Sequence, residues 1–355
     1  LFTSFDGGVT WPSAQAAYRG DKPWMASDVG IGPGRNQIYL NTASLPFARL
    51  IETDGILVGE SISLPGSTHF GTIAVAANGD VYVVGEGVIF HRSRTAKNSA
   101  AALVIDYTVQ VDIGYQPFGC GPNPGGLCGQ PWVAAESIDG PHPTNVYLFT
   151  TSIPSDRSDP LDAMFSRSTD GGLTWSTPMR INDDPPNNGA YQWFGTMSVA
   201  PNGRIDVVWN DTRNSASYRI SELFYSFSED QGQTWSENIP VSPSFDSHVG
   251  FPNQDKIGDY YHMISDYNGV NIAYAATFNG EQDVYFLRIG PPPDCNHNGL
   301  PDRDDVLAGR SNDCDHNFVP DECQSEFDGD GIIDACDDDI DNDGVPNAAD
   351  ACNRT

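Results

Sequence analysis

Asp and Asn recur within residues 294–355 at a spacing that suits the binding of a hard divalent cation. Ca²⁺ takes about six to eight oxygen ligands, which a calcium loop supplies from positions 1, 3, 5, 7, 9 and 12, with Gly at position 6 for the turn. Position 7 contributes its backbone carbonyl. Two segments are suitable throughout: the first loop (Asp294, Asn296, Asn298, Leu300, Asp302 and Asp305, with Gly299) and the fourth loop (Asp339, Asp341, Asp343, Val345, Asn347 and Asp350, with Gly344).

Two segments between them keep the same register. The third loop differs only by its Glu at position 1, and comprises Glu326, Asp328, Asp330, Ile332, Asp334 and Asp337, with Gly331. The second loop comprises Asp313, Asp315, Asn317, Val319 and Asp321, but has Phe318 in place of Gly and Gln324 in place of the last carboxylate. We therefore expect about three to four bound Ca²⁺ ions, with the second loop binding weakly or not at all.

The charge distribution sets this segment apart. Residues 294–355 hold 18 Asp and Glu against 3 Arg, a net charge of −15, whereas residues 1–293 reach −15 with 30 acidic and 15 basic residues. Such a density of like charge repels itself unless cations neutralise it, so we expect the segment to be disordered without metal. An acidic surface is a poor partner for nucleic acid, and no apolar run approaches the length of a membrane span.

The residues before this segment form short strands separated by turns. Val, Tyr, Ile and Trp dominate stretches such as 37–40, 80–84, 145–149 and 204–209, and turns such as Asn78-Gly79 separate them. No long segment shows the spacing of apolar residues that is typical of an α-helix. We predict an all-β domain at 1–290, a Pro linker at 291–293 and a calcium-binding module at 294–355.

One octapeptide, Ser-x-Asp-x-Gly-x-Thr-Trp, occurs three times, at Ser4–Trp11, Ser168–Trp175 and Ser228–Trp235. The copies start 164 and 60 residues apart, which fits one period of about 55 residues, the size of a four-stranded propeller blade. Asp and Ser can bond backbone N–H groups in a tight turn, Gly permits positive φ, and Trp can pack beneath. The motif is therefore predicted to fasten hairpins rather than to catalyse.

This motif is the Asp-box, and three copies in blade phase resemble the sialidase-type, or bacterial neuraminidase repeat, β-propellers. The segments Trp209–Arg213 and Ile257–Tyr260 also resemble secreted bacterial members of that group. The third-strand segments predict six blades with the first incomplete at the N-terminus, or seven as the alternative. These segments are Leu1–Phe5, Phe47–Glu52, Val88–Arg92, Met164–Arg167, Leu223–Phe227 and Val284–Ile289.

The C-terminal loops have resemblances of their own. The segment that begins at Asp294 is similar to dockerin-like repeats of secreted bacterial proteins, and Asp339–Cys352 is similar to a thrombospondin type 3 repeat. The latter resemblance implies a rod of loops wrapped around calcium ions, with little regular secondary structure.

The sialidase resemblance implies a possible active site. Sialidases hold the substrate carboxylate with three Arg and use a Tyr–Glu pair as nucleophile and an Asp as acid/base. The candidates for such roles are Arg213, Asp211, Asp259, Tyr260, Glu136 and Glu222. Each also has an ordinary interpretation, such as a turn salt bridge between Asp211 and Arg213.

The favoured function is therefore non-catalytic. It is that of an extracellular propeller that binds glycan or protein, or takes part in surface assembly, with the calcium loops as spacer or coupling element. Neighbouring subunits of the same protein are one candidate partner. The alternative is a carbohydrate-active enzyme, either a sialidase-like glycosidase or a polysaccharide lyase.

Seven cysteines in local pairs, together with calcium loops, indicate a secreted protein or one at the bacterial cell surface. Cys120 and Cys128 flank a Gly- and Pro-rich stretch and are predicted to close a loop. The preferred further pairs are Cys314–Cys323 and Cys336–Cys352. Cys295 then remains for an intermolecular bond or for a partner beyond the C-terminal end.

Overall fold

The structure is a computed structural model that describes residues 10, 21–30, 32–42, 45–53, 56–66, 69–136, 140, 142–290, 294–296, 298–316 and 319–347. Its contacts divide the chain into two units, Leu1–Ile289 and Gly290–Thr355. Antiparallel sheets form the first unit. The described part of the second unit consists of loops, one short α-helix, α1 (Asp302–Leu307), and one 3-10 turn (Asp321–Cys323). No helix among the described residues is long and apolar enough to cross a membrane.

Within each sheet of the first unit, strands that follow one another along the chain pair antiparallel. The first sheet contains β1 (Trp24–Ser27), β2 (Ile38–Thr42), β3 (Leu45–Thr53) and β4 (Ile56–Ile62). The second contains β5 (Ile73–Val75), β6 (Val81–Gly85), β7 (Ile89–Ser93) and β8 (Tyr107–Gln110). The third contains β9 (Trp132–Ala135), β10 (Val146–Ser152), β11 (Asp162–Ser168) and β12 (Met179–Arg180).

Two further sheets complete the unit. The fourth contains β13 (Gln192–Val199), β14 (Ile205–Asp211), β15 (Ile220–Ser228) and β16 (Ile239–Pro240), and β17 (Phe245–Asp246) pairs with the start of β15. The fifth contains three described strands, β18 (His262–Ser265), β19 (Val270–Ala276) and β20 (Asp283–Ile289). The predicted strands are confirmed to within a few residues at each end.

The sheets pack face to face, as the blades of a propeller do. Every residue of β6, β10 and β14 is buried, because a neighbouring sheet covers each face of these middle strands. Between the third and fourth sheets, for example, Phe149 and Phe165 pack in one cluster with Val207 and Trp209. The continuous burial explains why these strands are apolar at consecutive positions rather than at alternate ones.

The first and last sheets meet and close the ring. The ring of Trp24, at the start of β1, lies 5.3 Å from the Tyr260 ring and 5.9 Å from the His262 ring. Lys22 Nζ lies 3.2 Å from Asp259 Oδ2. The described residues thus form five blades, and the prediction of six is wrong, because these side-chain contacts occupy the interval that another blade would need. Leu1–Phe5, the extra predicted strand, lies outside the described residues.

Strand direction gives the ring two faces. On the upper face the first and third strands of each sheet begin and the second strands end. On the lower face the first and third strands end, and the Asp-box turns follow the third strands there. Arg213 follows β14 and therefore lies on the upper face, whereas Ser168–Trp175 lies on the lower face.

The Asp-boxes fasten each sheet to the one before it. In the copy at Ser168, its Oγ accepts a hydrogen bond from Gly172 N at 2.8 Å, and Asp170 Oδ1 accepts one from Thr174 N at 2.9 Å. The copy at Ser228 repeats these bonds. Trp175 packs edge-on against Phe90, and Trp235 against Phe165, each at 5.0 Å between ring centroids. The fastening role is confirmed for these two copies, while the first lies outside the described residues except for Thr10.

The glycine at the fifth position of the motif allows this contact. Gly232 has φ +76°, and a Cβ there would collide with the Phe165 ring. We expect Gly232→Ala to lower the free energy of unfolding by about 2–4 kcal/mol, measured by urea denaturation. Gly280→Ala is the matched control, because Gly280 has a similar φ of +86° but nothing within 4 Å of the added Cβ. Equal losses in the two variants would show that the ring contact is unimportant.

Candidate functional site

The first, third and fourth predicted calcium loops of the second unit share a left-handed backbone at position 6. The glycines at position 6, Gly299, Gly331 and Gly344, have φ of +86°, +91° and +87°. A Cβ on any of them would meet nothing within 4 Å, so packing does not require glycine there. Glycine is required there because the backbone is left-handed, as in the sharp turn of a calcium loop.

Hydrogen bonds inside the loops repeat in register. The position 6 N–H donates to the position 1 carboxylate at 2.9 Å, from Gly299 to Asp294 and from Gly344 to Asp339. The position 7 N–H donates to the side-chain oxygen of position 5 in three loops. These pairs are Leu300–Asn298 at 2.8 Å, Ile332–Asp330 at 2.7 Å and Val345–Asp343 at 2.8 Å. The bonds hold these side-chain oxygens against the backbone of their own turn.

Carboxylates converge in two of these loops. One oxygen from each of Glu326, Asp328 and Asp330 lies within 4.8 Å of the others, and Asp339, Asp341 and Asp343 form the same arrangement. Three negative charges at this separation repel one another unless a cation lies between them.

Buried carboxylate oxygens without donors indicate where ions would bind. Asp305, at position 12 of the first loop, is 0% exposed. Its Oδ2 accepts a hydrogen bond from Asn298 Nδ2 at 2.6 Å. Its Oδ1 accepts none from any described residue, although Arg310 Nη1 lies 3.5 Å away. Asp328 Oδ2 and Asp339 Oδ1 likewise lack a donor within the described part of the chain. A bound cation would remove the cost of burying such oxygens.

Position 9 is placed alike in three of the loops. Asp302, at position 9, is buried and accepts a hydrogen bond from Cys295 N at 2.7 Å. Asp321 and Asn347 accept the equivalent bond in the second and fourth loops. Asn317 and Asp350 lie outside the described residues. The donor set of carboxylate, amide and carbonyl oxygens fits Ca²⁺ rather than a metal that prefers nitrogen or sulfur.

In the second loop, the side-chain amide of Gln324 lies where an ion would otherwise contact the loop oxygens. Gln324 Nε2 lies 3.4 Å from Asp315 Oδ1 and 3.2 Å from Val319 O, the ligand atoms of positions 3 and 7. The amide therefore donates hydrogen bonds to oxygens that Ca²⁺ would otherwise bind. This contact supports the prediction that the second loop binds metal weakly or not at all.

The disulfides differ from the predicted pairs. Cys120–Cys128 is confirmed, but the structure joins Cys295 to Cys323 and Cys314 to Cys336. The preferred pairs Cys314–Cys323 and Cys336–Cys352 are therefore wrong. The two bridges of the second unit each connect position 2 of one loop to position 11 of the next. The fold brings these two positions of consecutive loops together. The predicted pairs instead assumed that cysteines close along the chain would bond. Cys352 lies outside the described residues.

A fourth metal site can be created by restoring the second loop. We expect Phe318→Gly/Gln324→Glu to bind one more Ca²⁺ per chain than the natural protein, because it regains the turn glycine and the last carboxylate. Isothermal titration calorimetry measures the number of ions. Phe318→Gly alone is the control and should add none. An unchanged number in the double variant would contradict this interpretation of Gln324.

The upper face of the propeller carries Arg213, surrounded by acidic side chains. Its Nε lies 2.9 Å from Asp211 Oδ2 and its Nη1 2.5 Å from Asp183 Oδ1. Asp184 lies 3.4 Å from Arg213 Nη2 and 3.0 Å from Arg180 Nη2. No third Arg of the described residues shares an ion pair with these carboxylates. The two guanidinium groups are thus neutralised within the protein, and the three-Arg clamp of sialidases is not assembled around them.

Asp211 and Glu222, two of the predicted candidates, lie together. They are opposite each other in the β14–β15 register and line a cavity of about 180 Å³. Burial raises the pKa of Asp211, although the Arg213 guanidinium opposes this effect. Glu222 Oε2 accepts a hydrogen bond from Asn214 Nδ2 at 2.6 Å. Paired carboxyl groups in one cavity are the minimum requirement for general acid/base chemistry on a glycoside.

Asp259 and Tyr260 lie elsewhere on the upper face. Asp259 Oδ2 is 2.7 Å from Lys256 Nζ and 3.2 Å from Lys22 Nζ. Burial alone would raise the pKa of Asp259, but its hydrogen bonds and the two lysines lower it below the usual value. Asp259 is thus an ion-pair anchor between the first and last sheets. Tyr260 packs against Trp24 and remains partly exposed.

Glu136 is separated from the other candidates. It follows β9 and therefore lies on the lower face, where its Oε2 accepts a hydrogen bond from Tyr147 Oη at 2.8 Å. Burial raises the pKa of Glu136 despite this bond. The Tyr–Glu contact of the described residues therefore lies on the opposite face from Arg213, and the six candidates do not form one site.

An aromatic patch on the upper face was missed by sequence reasoning. Tyr218 and Phe251 are 49% and 47% exposed, and the His248 ring lies 5.8 Å from Tyr218 and 5.0 Å from Phe251. Tyr191 lies 6.3 Å from Tyr218. These rings come from three separate loops, so no local spacing reveals them. We call Tyr191, Tyr218, His248 and Phe251 the upper-face aromatic patch.

The chain matches no protein-family model and no curated protein. Among solved structures it is similar to an α-L-arabinofuranosidase from Fusarium graminearum (11% identity, 72% of this chain, 90% of that chain, TM-score 0.42). It is also similar to an α-L-arabinanase from Penicillium chrysogenum (11% identity, 76% and 80%, TM-score 0.42). A third similar structure is the polysaccharide lyase Uly1 (13% identity, 73% and 67%, TM-score 0.40). At these identities and TM-scores, the likenesses carry no information about the chemistry of this chain.

Proposed function

We propose that this chain is an extracellular calcium-binding propeller protein. In this proposal the C-terminal loops bind about three Ca²⁺ ions, and the upper face of the propeller binds a glycan. The observation that carries the proposal is the repeated loop geometry around Gly299, Gly331 and Gly344, together with the carboxylates that converge in the third and fourth loops.

The extracellular assignment is supported by the disulfides and by the calcium loops together. Three disulfides, one on the propeller and two in the C-terminal unit, require an oxidising compartment for stable formation. Loops of this type in extracellular modules bind Ca²⁺ at the high concentrations found outside cells. In the bound state the ions would neutralise carboxylates and fix the loops in register, which gives the unit the stiffness of a spacer.

The glycan-binding assignment rests on the aromatic patch. Exposed aromatic rings grouped on one face of a soluble protein mark an interaction site, and flat rings stack well on the apolar faces of sugars. A neutral glycan fits better than an acidic one, because the cations beside the patch are already paired. Arg219, for instance, is 2.7 Å from Asp246.

Removal of calcium tests the metal assignment. We expect EDTA to lower the melting temperature of the C-terminal unit and to change its near-UV circular dichroism, because the carboxylates then repel one another. Calorimetry should count about three ions in the natural protein. Failure of Ca²⁺ to bind, or a unit that is indifferent to the chelator, would contradict the proposal.

A pair of substitutions separates coordination from net charge. Asp305 is buried at position 12, whereas its neighbour Asp304 is exposed and is not a loop ligand. We expect Asp305→Asn to weaken binding at the first loop by about tenfold or more and Asp304→Asn to leave it nearly unchanged. Calcium titration measures both, and equal effects would show that only bulk charge attracts the ion.

Substitution of the aromatic patch tests glycan binding. We expect Tyr218→Ala and Phe251→Ala each to weaken binding of a neutral oligosaccharide by about tenfold, because a stacking surface is lost. A glycan array followed by calorimetry measures this effect. Tyr267→Ala is the control, since Tyr267 is 53% exposed but follows β18 on the lower face. Equal loss in all three variants, or no binding to any neutral glycan, would contradict the assignment.

A carbohydrate-active enzyme is the second candidate, favoured by the cavity shared by Asp211 and Glu222. If the chain cleaves glycosides there, Glu222→Gln should abolish release of reducing sugar from a polysaccharide panel. Glu237→Gln, at an exposed position, should retain it. Activity that survives Glu222→Gln would exclude this cavity as the catalytic site.

A further inference from the structure

A second cavity of the propeller, of about 740 Å³, lies between the second and third sheets. Its walls are the segments that follow β6, β8 and β10. The second strands β6 and β10 end on the upper face, and so does β8, which runs antiparallel to the third strand β7. The cavity therefore lies on the upper face, and its volume is that of a small-molecule site. None of the six candidate catalytic residues lines it.

Tyr115 is the aromatic wall of this cavity and is 68% exposed. Its backbone is fixed by two hydrogen bonds, from Tyr115 N to Ile153 O at 3.0 Å and from Ile153 N to Tyr115 O at 2.8 Å. The preceding Gly114 has φ +95°, and a Cβ there would lie 2.5 Å from Ser152 Oγ, so this close approach needs glycine. The ring is thus exposed on an ordered backbone, which suits it for stacking against a ligand.

Two polar side chains of the cavity retain capacity for hydrogen bonds. Gln116 Nε2 donates to Gly114 O at 2.7 Å, whereas the buried Oε1 of Gln116 accepts no hydrogen bond from any described residue. Arg157 is exposed, and its guanidinium pairs with no carboxylate in the described part of the chain. An acceptor and a set of donors are therefore present beside the Tyr115 ring.

The charges of the cavity favour an uncharged ligand. Glu86 and Asp112 also line it, so two carboxylates accompany the one guanidinium of Arg157. An anionic ligand would meet an excess of negative charge, and a cationic one would leave the guanidinium without an acceptor. A hydroxyl group both donates and accepts, so it can bond amide, guanidinium and carboxylate alike. Hydroxyl groups around an apolar ring face are the chemistry of a neutral sugar.

The segment that leaves this cavity leads to the upper-face aromatic patch. Gly121 follows Tyr115 by six residues, so the two lie within roughly 20 Å of each other. Gly121 O is 2.8 Å from His248 Nε2, and a Cβ on Gly121 would lie 3.1 Å from Tyr218 Cδ2. Between them, Phe118 is 62% exposed. Exposed rings therefore follow this segment from the cavity to the patch.

The same segment is held in place at several points. The disulfide Cys120–Cys128 closes it, and Phe118 pairs with Leu127 in an antiparallel bridge. Gly125 N donates to Asp255 O at 2.8 Å, which ties the segment to the loop before the fifth sheet. A segment constrained in this way loses little conformational freedom when a ligand binds.

We propose that the cavity at Tyr115 is a second sugar subsite, and that it and the aromatic patch bind two parts of one neutral oligosaccharide. Tyr115 stacks on one sugar ring, Gln116 and Arg157 bond its hydroxyl groups, and Phe118 contacts the units between the two subsites. This inference rests on the proposed glycan role of the patch. It specifies the ligand as a chain of several neutral sugar units rather than a single terminal sugar.

Calorimetric titration with short and long ligands tests the proposal. The probes are the disaccharides and hexasaccharides of the neutral gluco-, xylo- and arabino-series, added to the full chain with Ca²⁺. For the series that binds, we expect two disaccharides but one hexasaccharide per chain. The hexasaccharide should bind roughly tenfold or more tightly, because one ligand then occupies both subsites.

Substitutions assign the second subsite to the cavity. Tyr115→Ala should reduce the number of bound disaccharides to one and weaken hexasaccharide binding by roughly tenfold, whereas Tyr115→Phe, which keeps the ring, should retain both. Arg157→Ala should weaken hexasaccharide binding by about fivefold. Arg35→Ala is its control, because Arg35 is exposed in the β1–β2 connection on the lower face.

The outcomes separate this inference from the proposed function. Loss of all binding in Tyr218→Ala, with no effect of Tyr115→Ala, would overturn the cavity subsite and leave the glycan role of the patch intact. Loss in Tyr115→Ala alone would refute the patch, and with it the bridging ligand. Equal numbers of long and short ligands per chain would also overturn bridging. Tighter binding of an acidic hexasaccharide, lost in Arg157→Ala, would overturn the assignment to a neutral sugar.

Discussion

At two junctions of this propeller, between the second and third sheets and between the third and fourth, a turn packs a glycine and a tryptophan onto a phenylalanine, and an arginine bonds the backbone of the turn. At Gly232, Trp235, Phe165 and Arg167 this contact buries one face of a sheet and aligns it with the next. Because β6, β10 and β14 are covered from both sides, each carries apolar residues at consecutive positions. Covering both faces of these strands requires a neighbouring sheet on each side, and the ring arrangement supplies one.

The second unit depends on a different balance. Pro320 and Ile333 are the only buried apolar residues within its described part, so the hydrophobic effect contributes little to its order. Two disulfides connect successive loops and restrict the unfolded chain, but they leave the crowded carboxylates in place. Cations at the loops would supply the remaining stabilisation, which makes the fold of this unit sensitive to its ionic environment. Small modules with weak cores commonly need such cross-links.

The upper face combines two kinds of surface. Around Arg213, carboxylates neutralise the guanidinium and leave little positive potential for an acidic ligand. On the same face, Tyr218 and Phe251 are about half exposed to solvent. A rigid ring that carries such loops suits recognition by stacking, and the proposed glycan role follows from this contrast. Glu136 lies on the other face and takes no part.

The sequence by itself determined the features that depend on local spacing. The strands, the Asp-box turns and the calcium loops each need particular residues a few positions apart, so Gly299 or Asp170 is recognisable without a structure. Tertiary structure alone decided the features that depend on how distant segments meet. The blade count depends on Trp24 reaching Tyr260, the disulfides on consecutive loops bringing Cys295 to Cys323, and the aromatic patch on three loops converging. Packing brings those segments together across the ring or between loops. Because they are far apart along the chain, their contacts cannot be predicted from the spacing of residues in the sequence.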